Sequence, residues 1–348
     1  GGGSRGRIVE NNRIIVIKTN VYSLFEMENK VEEIEIRSVV EYITEVNKLL
    51  KKSKFNPNTH TAFFRGHANK VWKLEPGLLR NHGYIENEHL MYRTIIAQQT
   101  SEFSTCTSAL DYLVKMQHYG LPTRLLDLTT NPLIALYFAC EYQVYSRSNK
   151  ETGEIIVLSI PTYSIKHYDS DTISILANIA KCKEEEISIN MNFGKWMTTD
   201  FHNGFVFKKI KEFEEYRESF NALGQIKLLL HQISLEKNHF LPIIDPKDLS
   251  QVCVVHVKQD NQRIKNQMGA FLLFGLGIST EKRTCILSKK GNIQMPKEWN
   301  LPQSTRLVIP GDCKKGIIEE LGRLGISKSF VYPELGTLSE ELKKQYEK

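Results

Sequence analysis

The chain has 348 residues, 41% of them hydrophobic and 25% charged, proportions of an ordinary globular protein that exclude a disordered, fibrous or collagen-like chain. Forty-six Lys and Arg against forty Asp and Glu leave a formal charge of +6, scattered along the sequence, which suits a phosphate-bearing ligand without demanding a nucleic-acid surface. The closest pair of the six cysteines, Cys285 and Cys313, lies 28 positions apart, which excludes a zinc ribbon or a redox clip, and no apolar run reaches membrane length. With no secretory leader either, a cytoplasmic protein with reduced thiols and no membrane partner is expected.

Positions 13–19 and 31–37 are expected to be short strands of an N-terminal extension spanning 1–37. Ser38 then caps a helix that carries Val39, Tyr42, Ile43, Val46, Leu49 and Leu50 on one face and Lys51-Lys52 at its negative end. Beyond a polar link, Ala62-Phe63-Phe64-Arg65-Gly66-His67 reads as a buried strand that releases an arginine, with Gly66 letting the backbone turn or a ligand approach. Arg65 there either forks onto a phosphate or carboxylate or closes a structural salt bridge. Positions 84–103 are expected to be helical, with Glu88 on the solvated side.

Leu110, Leu113 and Val114 fall at i, i+3 and i+4, and the same stripe continues into Gln117 and His118. Gly120 supplies the residue that a helix needs past its end, and Pro122 prevents the helix from resuming. Only one short strand fits into 124–128 before Thr130 or Asn131 caps a new helix, which opens with Pro132 and runs into apolar 133–140. Gln117, His118, Thr123, Arg124, Asp127, Thr129 and Asn131 thus crowd between two apolar helices. Each has a local use, such as Asp127 pairing with Arg124, Thr129 and Asn131 capping, or His118 sitting at a negative helix end. Together they mark a candidate site, because buried charge costs several kcal/mol unless it is paired.

Further strands are expected at 154–160, 252–257, 285–287 and 306–309. The stretch 161–250 is expected to be mostly helical, an insertion or lid, with Ile210, Phe213, Arg217 and Phe220 at helical spacing. Arg263 and Gln267 precede an apolar strand across Gly269. Helices follow at 314–324, closed by Gly325, and at 339–348. Helices and strands interleave without strict alternation, which predicts an α+β fold with a mixed, mostly antiparallel central sheet surrounded by helices.

Several of these stretches resemble the FRG-domain family: Phe64-Arg65-Gly66, Gln117-His118-Tyr119-Gly120-Leu121-Pro122-Thr123-Arg124-Leu125-Leu126-Asp127, Asn131-Pro132, Arg263-x-x-x-Gln267-x-Gly269-x-Phe271, Leu324-Gly325-Ile326 and Tyr332-Pro333-x-Leu335. The resemblance spans 38–348 and implies one FRG domain there, a bacterial or phage origin, and a defence or toxin effector. More distantly the chain is similar to ADP-ribosyltransferases, which implies an ADP-ribosyltransferase-like fold with NAD as cofactor. By that similarity Arg65 contacts NAD, Thr123 or Thr129 supplies the hydroxyl of a second strand, and Gln267 stands where a glutamate belongs. A glutamine can hydrogen-bond a ribose hydroxyl but cannot supply negative charge to an oxocarbenium-like transition state.

The expected function is therefore that of an NAD-using enzyme, by transfer to a protein or nucleic-acid acceptor or by glycohydrolysis. His118, Asp127 and Gln267 would serve the chemistry, Arg65 and Arg124 the diphosphate, and Tyr119 a stacked ring. Gly66, His67, Gln117, Thr123, Thr129, Asn131 and Arg263 complete the ligand-binding set. Two other functions compete: a nucleotide-binding sensor without turnover, and a nucleic-acid-processing enzyme with His118 and Asp127 as acid and base. No metal is expected, since Asp127 has no second ligand at suitable spacing, and its partner should be Arg124 or Arg65. Arg65, Gln117, His118, Arg124, Asp127, Arg263 and Gln267 are expected to converge on one pocket.

Overall fold

The computed structural model describes residues 32–141, 151–190, 197–200, 204–207, 217–281, 284–301 and 305–347. The strand expected at 13–19 lies outside them, as do Val31, Ile210 and Phe213. In chain order the strands are β1 (Glu32–Glu35), β2 (His60–His67), β3 (Leu125–Thr129), β4 (Gly153–Pro161), β5 (Ile165–His167), β6 (Ile187–Asn190), β7 (Met197–Asp200), β8 (Gly204–Phe207), β9 (Val252–His256), β10 (Gly269–Phe274), β11 (Gly277–Glu281), β12 (Thr284–Ser288), β13 (Asn300–Leu301) and β14 (Thr305–Ile309). The labelled helices are α1 (Val39–Lys52), α2 (His82–Gln98), α3 (Ala109–His118), α4 (Pro132–Cys140), α5 (Asp171–Asn178), α6 (Gly224–Ser234), α7 (Pro246–Leu249), α8 (Gln262–Asn266), α9 (Lys314–Arg323), α10 (Lys328–Val331) and α11 (Leu335–Tyr346).

One sheet runs β1-β14-β4-β2-β3-β10-β9-β5, with β13 beside β4. Its β1–β14 and β5–β9 pairs are parallel and the others antiparallel, so the sheet is mixed and mostly antiparallel, as expected. β3 shows how sequence dictates the layers. Successive strand residues point to opposite faces, so Leu126 and Leu128 join Phe63, Ala270 and Leu272 in one core, while Leu125 joins Phe271, Leu273 and Leu113 in another. The second face is shared with a third core in which α1 and α4 cover Phe64, Ile155 and Val157.

α4 is apolar on every side and lies inside, with Asn131 capping it through Oδ1 to the Leu133 amide at 3.0 Å. It presses so close to β2 that a Cβ on Gly66 would stand 1.9 Å from the Ala135 carbonyl oxygen. Gly66 is thus a packing residue, not a place where a ligand approaches.

Four expectations need correction. The stretch 161–250 is mixed, because β5, β6, β7 and β8 interrupt its helices, and β6 pairs with β12 to extend a small β11-β12-β6 sheet. The strand expected at 31–37 is described only as Glu32–Glu35 and belongs to the main sheet through β14. The helix expected at 84–103 ends at Gln98, and the last helix starts at Leu335.

Candidate functional site

α3 aims the site. Ser108 caps it, Oγ accepting from the Asp111 amide at 3.2 Å while the Asp111 carboxylate accepts from the Ser108 amide at 3.1 Å. Leu110, Leu113 and Met116 bury its inner stripe, and Gln117 and His118 emerge at its C-terminal end. Gly120 then takes φ of +82°, a conformation open to glycine at little cost, and the chain turns into β3. In β3 the burial pattern leaves Asp127 exposed between buried neighbours, opposite Phe271 of β10.

The Asp127 carboxylate is held from one side by Gln117, whose Nε2 donates to Oδ2 at 3.0 Å. Thr123 fixes that amide, its Oγ1 donating to Gln117 Oε1 at 2.7 Å while accepting from the Leu125 amide at 3.1 Å. From the other side comes Arg65. β2 and β3 pair at Phe64–Thr129, and beyond that pair Arg65 Nη1 donates to the Asp127 main-chain carbonyl at 2.7 Å and lies 4.0 Å from Oδ2. Of the two arginines expected to partner Asp127, Arg65 is the one that does.

Arg65 Nε donates to His67 Nε2 at 3.0 Å. Burial, helped by Arg65, Arg80 and Arg306, holds His67 down to about 3, so it is neutral and its Nε2 lone pair receives the guanidinium. Its Nδ1 is buried with no hydrogen-bond partner among the described residues. Burial draws Arg65 down to about 10 against the pull of Asp127, which leaves it a cation at neutral pH.

Asp127 opens into a cleft of about 400 Å³ that Gln117, His118, Tyr119, Arg263, Lys115 and Lys258 also line. Its cations face nearby acids. Lys258 reaches Asp111 at 3.0 Å, Lys115 stands 3.8 Å from Glu102, and Arg263 stands 3.5 Å from Glu334. Asp127, by contrast, carries its charge into the cleft with an amide as its hydrogen-bond donor and its cation no nearer than 4.0 Å. Tyr119 is half-exposed, packs edge-on against His118 at 5.0 Å and donates its hydroxyl to Glu102 at 3.0 Å. Burial and then Arg263 lower His118, with Glu334 opposing, so the ring is neutral at neutral pH. No hydrogen bond joins His118 to Asp127 among the described residues.

Not every expected site residue converges. Arg124 is 2% exposed and gives a two-pronged bond to Glu88, Nε at 2.8 Å and Nη2 at 2.5 Å, with Nη1 on the Phe274 carbonyl at 2.7 Å. It is therefore corrected from a diphosphate ligand to an internal clamp. Glu88, expected to be solvated, is 3% exposed and also receives Lys289 at 2.7 Å. Gln267 donates Nε2 to the Val331 carbonyl at 3.0 Å, and its own carbonyl accepts from Thr129 Oγ1 at 2.6 Å, so both serve architecture. Thr123 and His67 are buried behind Gln117 and Arg65, and Asn131 caps. Lys115, Lys258, Asp111 and Glu334 were not singled out by sequence. Lys258 and Glu334 stand just past apolar runs that fix no side-chain role, which is why periodicity gives them no signal.

Among the described residues no group of three or more His, Cys, Asp or Glu could hold a metal ion, and no helix is long and apolar enough to cross a membrane. No curated protein and no solved structure matches the chain. The family model of the FRG domain matches residues 60–148. That span contains Phe64-Arg65-Gly66, the α3 terminus, Asp127 and α4, so the part of the cleft built around Asp127 lies within the stretch that is similar to the FRG domain.

Proposed function

We propose that the cleft binds a nucleotide and that the chain is an NAD-using enzyme which cleaves the bond between nicotinamide and ribose, with Asp127 as the carboxylate at the reacting carbon. What supports this is the Asp127 carboxylate, exposed, oriented by Gln117 and, among the described residues, without a hydrogen-bonded cation, in the wall of a cleft large enough for a nucleotide and lined also by cations and an aromatic ring. When the glycosidic bond breaks, its electron pair leaves with nicotinamide, neutralising the pyridinium, and positive charge develops on the ribose. A fixed carboxylate beside that charge stabilises it, and water or an acceptor hydroxyl then adds and gives up its proton. Gln267 has no part in this, because its side chain is spent on Val331.

The FRG resemblance supports a bacterial or phage defence or toxin setting. A second function, nucleotide sensing without turnover, is favoured by one observation. His118, which lines the same cleft, is lowered by burial and by Arg263, and it faces Glu334 at 3.6 Å with no hydrogen bond to Asp127. Calorimetric titration of NAD against wild type and Tyr119→Ala tests occupancy. Wild type should bind, and the variant should lose about tenfold to a hundredfold in affinity if the ring stacks on the ligand. Equal affinities, or no binding to wild type, contradict the assignment.

A further inference from the structure

Glu334 lies between two groups of the cleft wall, the Arg263 guanidinium and the His118 ring, whose neutral imidazole can still donate one N–H. Its Oε1 is 3.5 Å from Arg263 Nη1 and 3.6 Å from His118 Nε2. Both separations exceed hydrogen-bond length, and the carboxylate side chain is 40% exposed, so it is attracted to the corner without being locked into it. The Arg263 side of the corner is better fixed than its occupant. The Arg263 guanidinium packs 4.7 Å from the Tyr332 ring centroid, Tyr332 is tied by its hydroxyl to Glu141 Oε2 at 3.0 Å, and the Arg263 amide donates to Asn261 Oδ1 at 2.7 Å.

The main chain on either side of the corner is also tied. Asn266 Nδ2 donates to the Phe330 carbonyl at 2.7 Å, and Gln267 Nε2 donates to the Val331 carbonyl at 3.0 Å. Helix α8, which carries Arg263, and the segment that carries Glu334 therefore form one strapped unit. Clearing the corner requires the Glu334 side chain to swing outward and no backbone tether to break.

We infer that the Arg263–His118 corner is an anion subsite that takes a phosphate of the nucleotide ligand, and that Glu334 is its built-in competitor. This rests on the nucleotide assignment of the same cleft. A phosphate has more acceptor oxygens than a carboxylate and matches the planar guanidinium fork at closer range, so it displaces Glu334 instead of sharing the corner. Lys115 and Lys258 line the same cleft and add to the attraction for a second phosphate oxygen. The C-terminal segment thereby sets ligand affinity, and whatever draws Glu334 away opens the site.

The test titrates inorganic pyrophosphate, and separately NAD, against wild type, Glu334→Gln, Arg263→Ala and the double variant, with NAD cleavage followed in parallel. Glu334→Gln should bind pyrophosphate about twofold to fivefold more tightly than wild type, the scale of one exposed ion pair removed. Arg263→Ala should weaken binding, and the double variant should show no gain over Arg263→Ala. Glu334→Gln binding no more tightly, or a gain that persists without Arg263, overturns the subsite. If pyrophosphate responds as stated while NAD is neither bound nor cleaved, the subsite stands and the NAD assignment falls. If NAD is cleaved with affinities indifferent to Glu334, the NAD assignment stands and the subsite falls.

Discussion

At the entry to β3, Arg124 and Lys289 meet over Glu88, all three nearly free of solvent. Two cations over one carboxylate are tolerable only because the remaining donors are satisfied, Arg124 Nη1 by the Phe274 carbonyl and Lys289 Nζ by the Cys182 carbonyl at 2.7 Å. Burial pushes the Glu88 carboxyl up, but Arg124 and Lys289 outweigh it and hold it at about 2, against an ordinary value of 4.5. A depressed carboxyl contributes stability above its unfolded value and loses it as pH falls toward the folded value, so this contribution is present at neutral pH and fades from pH 4.5 to 2. Glu88→Ala should cost about 3 to 5 kcal/mol in urea unfolding at pH 7, because it strands two buried cations. Its stability should also fall less steeply than that of wild type between pH 5 and 3. A loss under 1 kcal/mol would show that water reaches the network. Arg124 and Glu88 stood out in the sequence, but Lys289 and the pairing did not, since the partners of Arg124 lie far from it along the chain and Glu88 sits in a helix with a polar outer face.

Among the elements, α3, β3 and α4 were the most legible, because their signals are local: a serine cap, a glycine stop, a short apolar strand, and an asparagine–proline start. The strands β6, β7 and β8 were not, because a four-residue strand such as β6 exists through its pairing of Ile187 with Leu287, which no local pattern announces. Two glycines separate the kinds of information involved. Gly120 is needed for its backbone conformation, with no atom of the described residues within 4 Å of an added Cβ, so Gly120→Ala should cost about 1 to 2 kcal/mol of strain. Gly66 is needed for space. A Cβ there meets the backbone of α4 at Ala135 and Ala139, which cannot move without parting helix from sheet, so Gly66→Ala should cost about 3 kcal/mol or more. Thermal unfolding of the two variants side by side checks the order, and a Gly66→Ala protein as stable as Gly120→Ala would mean that α4 yields easily.

Across the whole molecule, the cleft assembles from pieces that the chain keeps far apart: the α3 terminus and β3, then Lys258 and Arg263 around α8, then Glu334 before α11. The first piece was readable because it is compact and lies within the matched FRG span. The second was partly readable through Arg263. Gln267 drew attention by its neighbours, yet its side chain points to Val331, a contact across 64 positions that only the fold creates. Placing the negative charge of the site at Asp127 rather than at position 267 is the central claim, and nicotinamide release tests it most directly. Wild type, Asp127→Asn and Gln267→Glu are incubated with NAD and the free base is quantified. Wild type should release nicotinamide, Asp127→Asn should be slower by about a hundredfold or more, and Gln267→Glu should show no gain, since a glutamate there loses its donor to Val331 without reaching the cleft. Release that survives Asp127→Asn, or that rises in Gln267→Glu, would contradict the account.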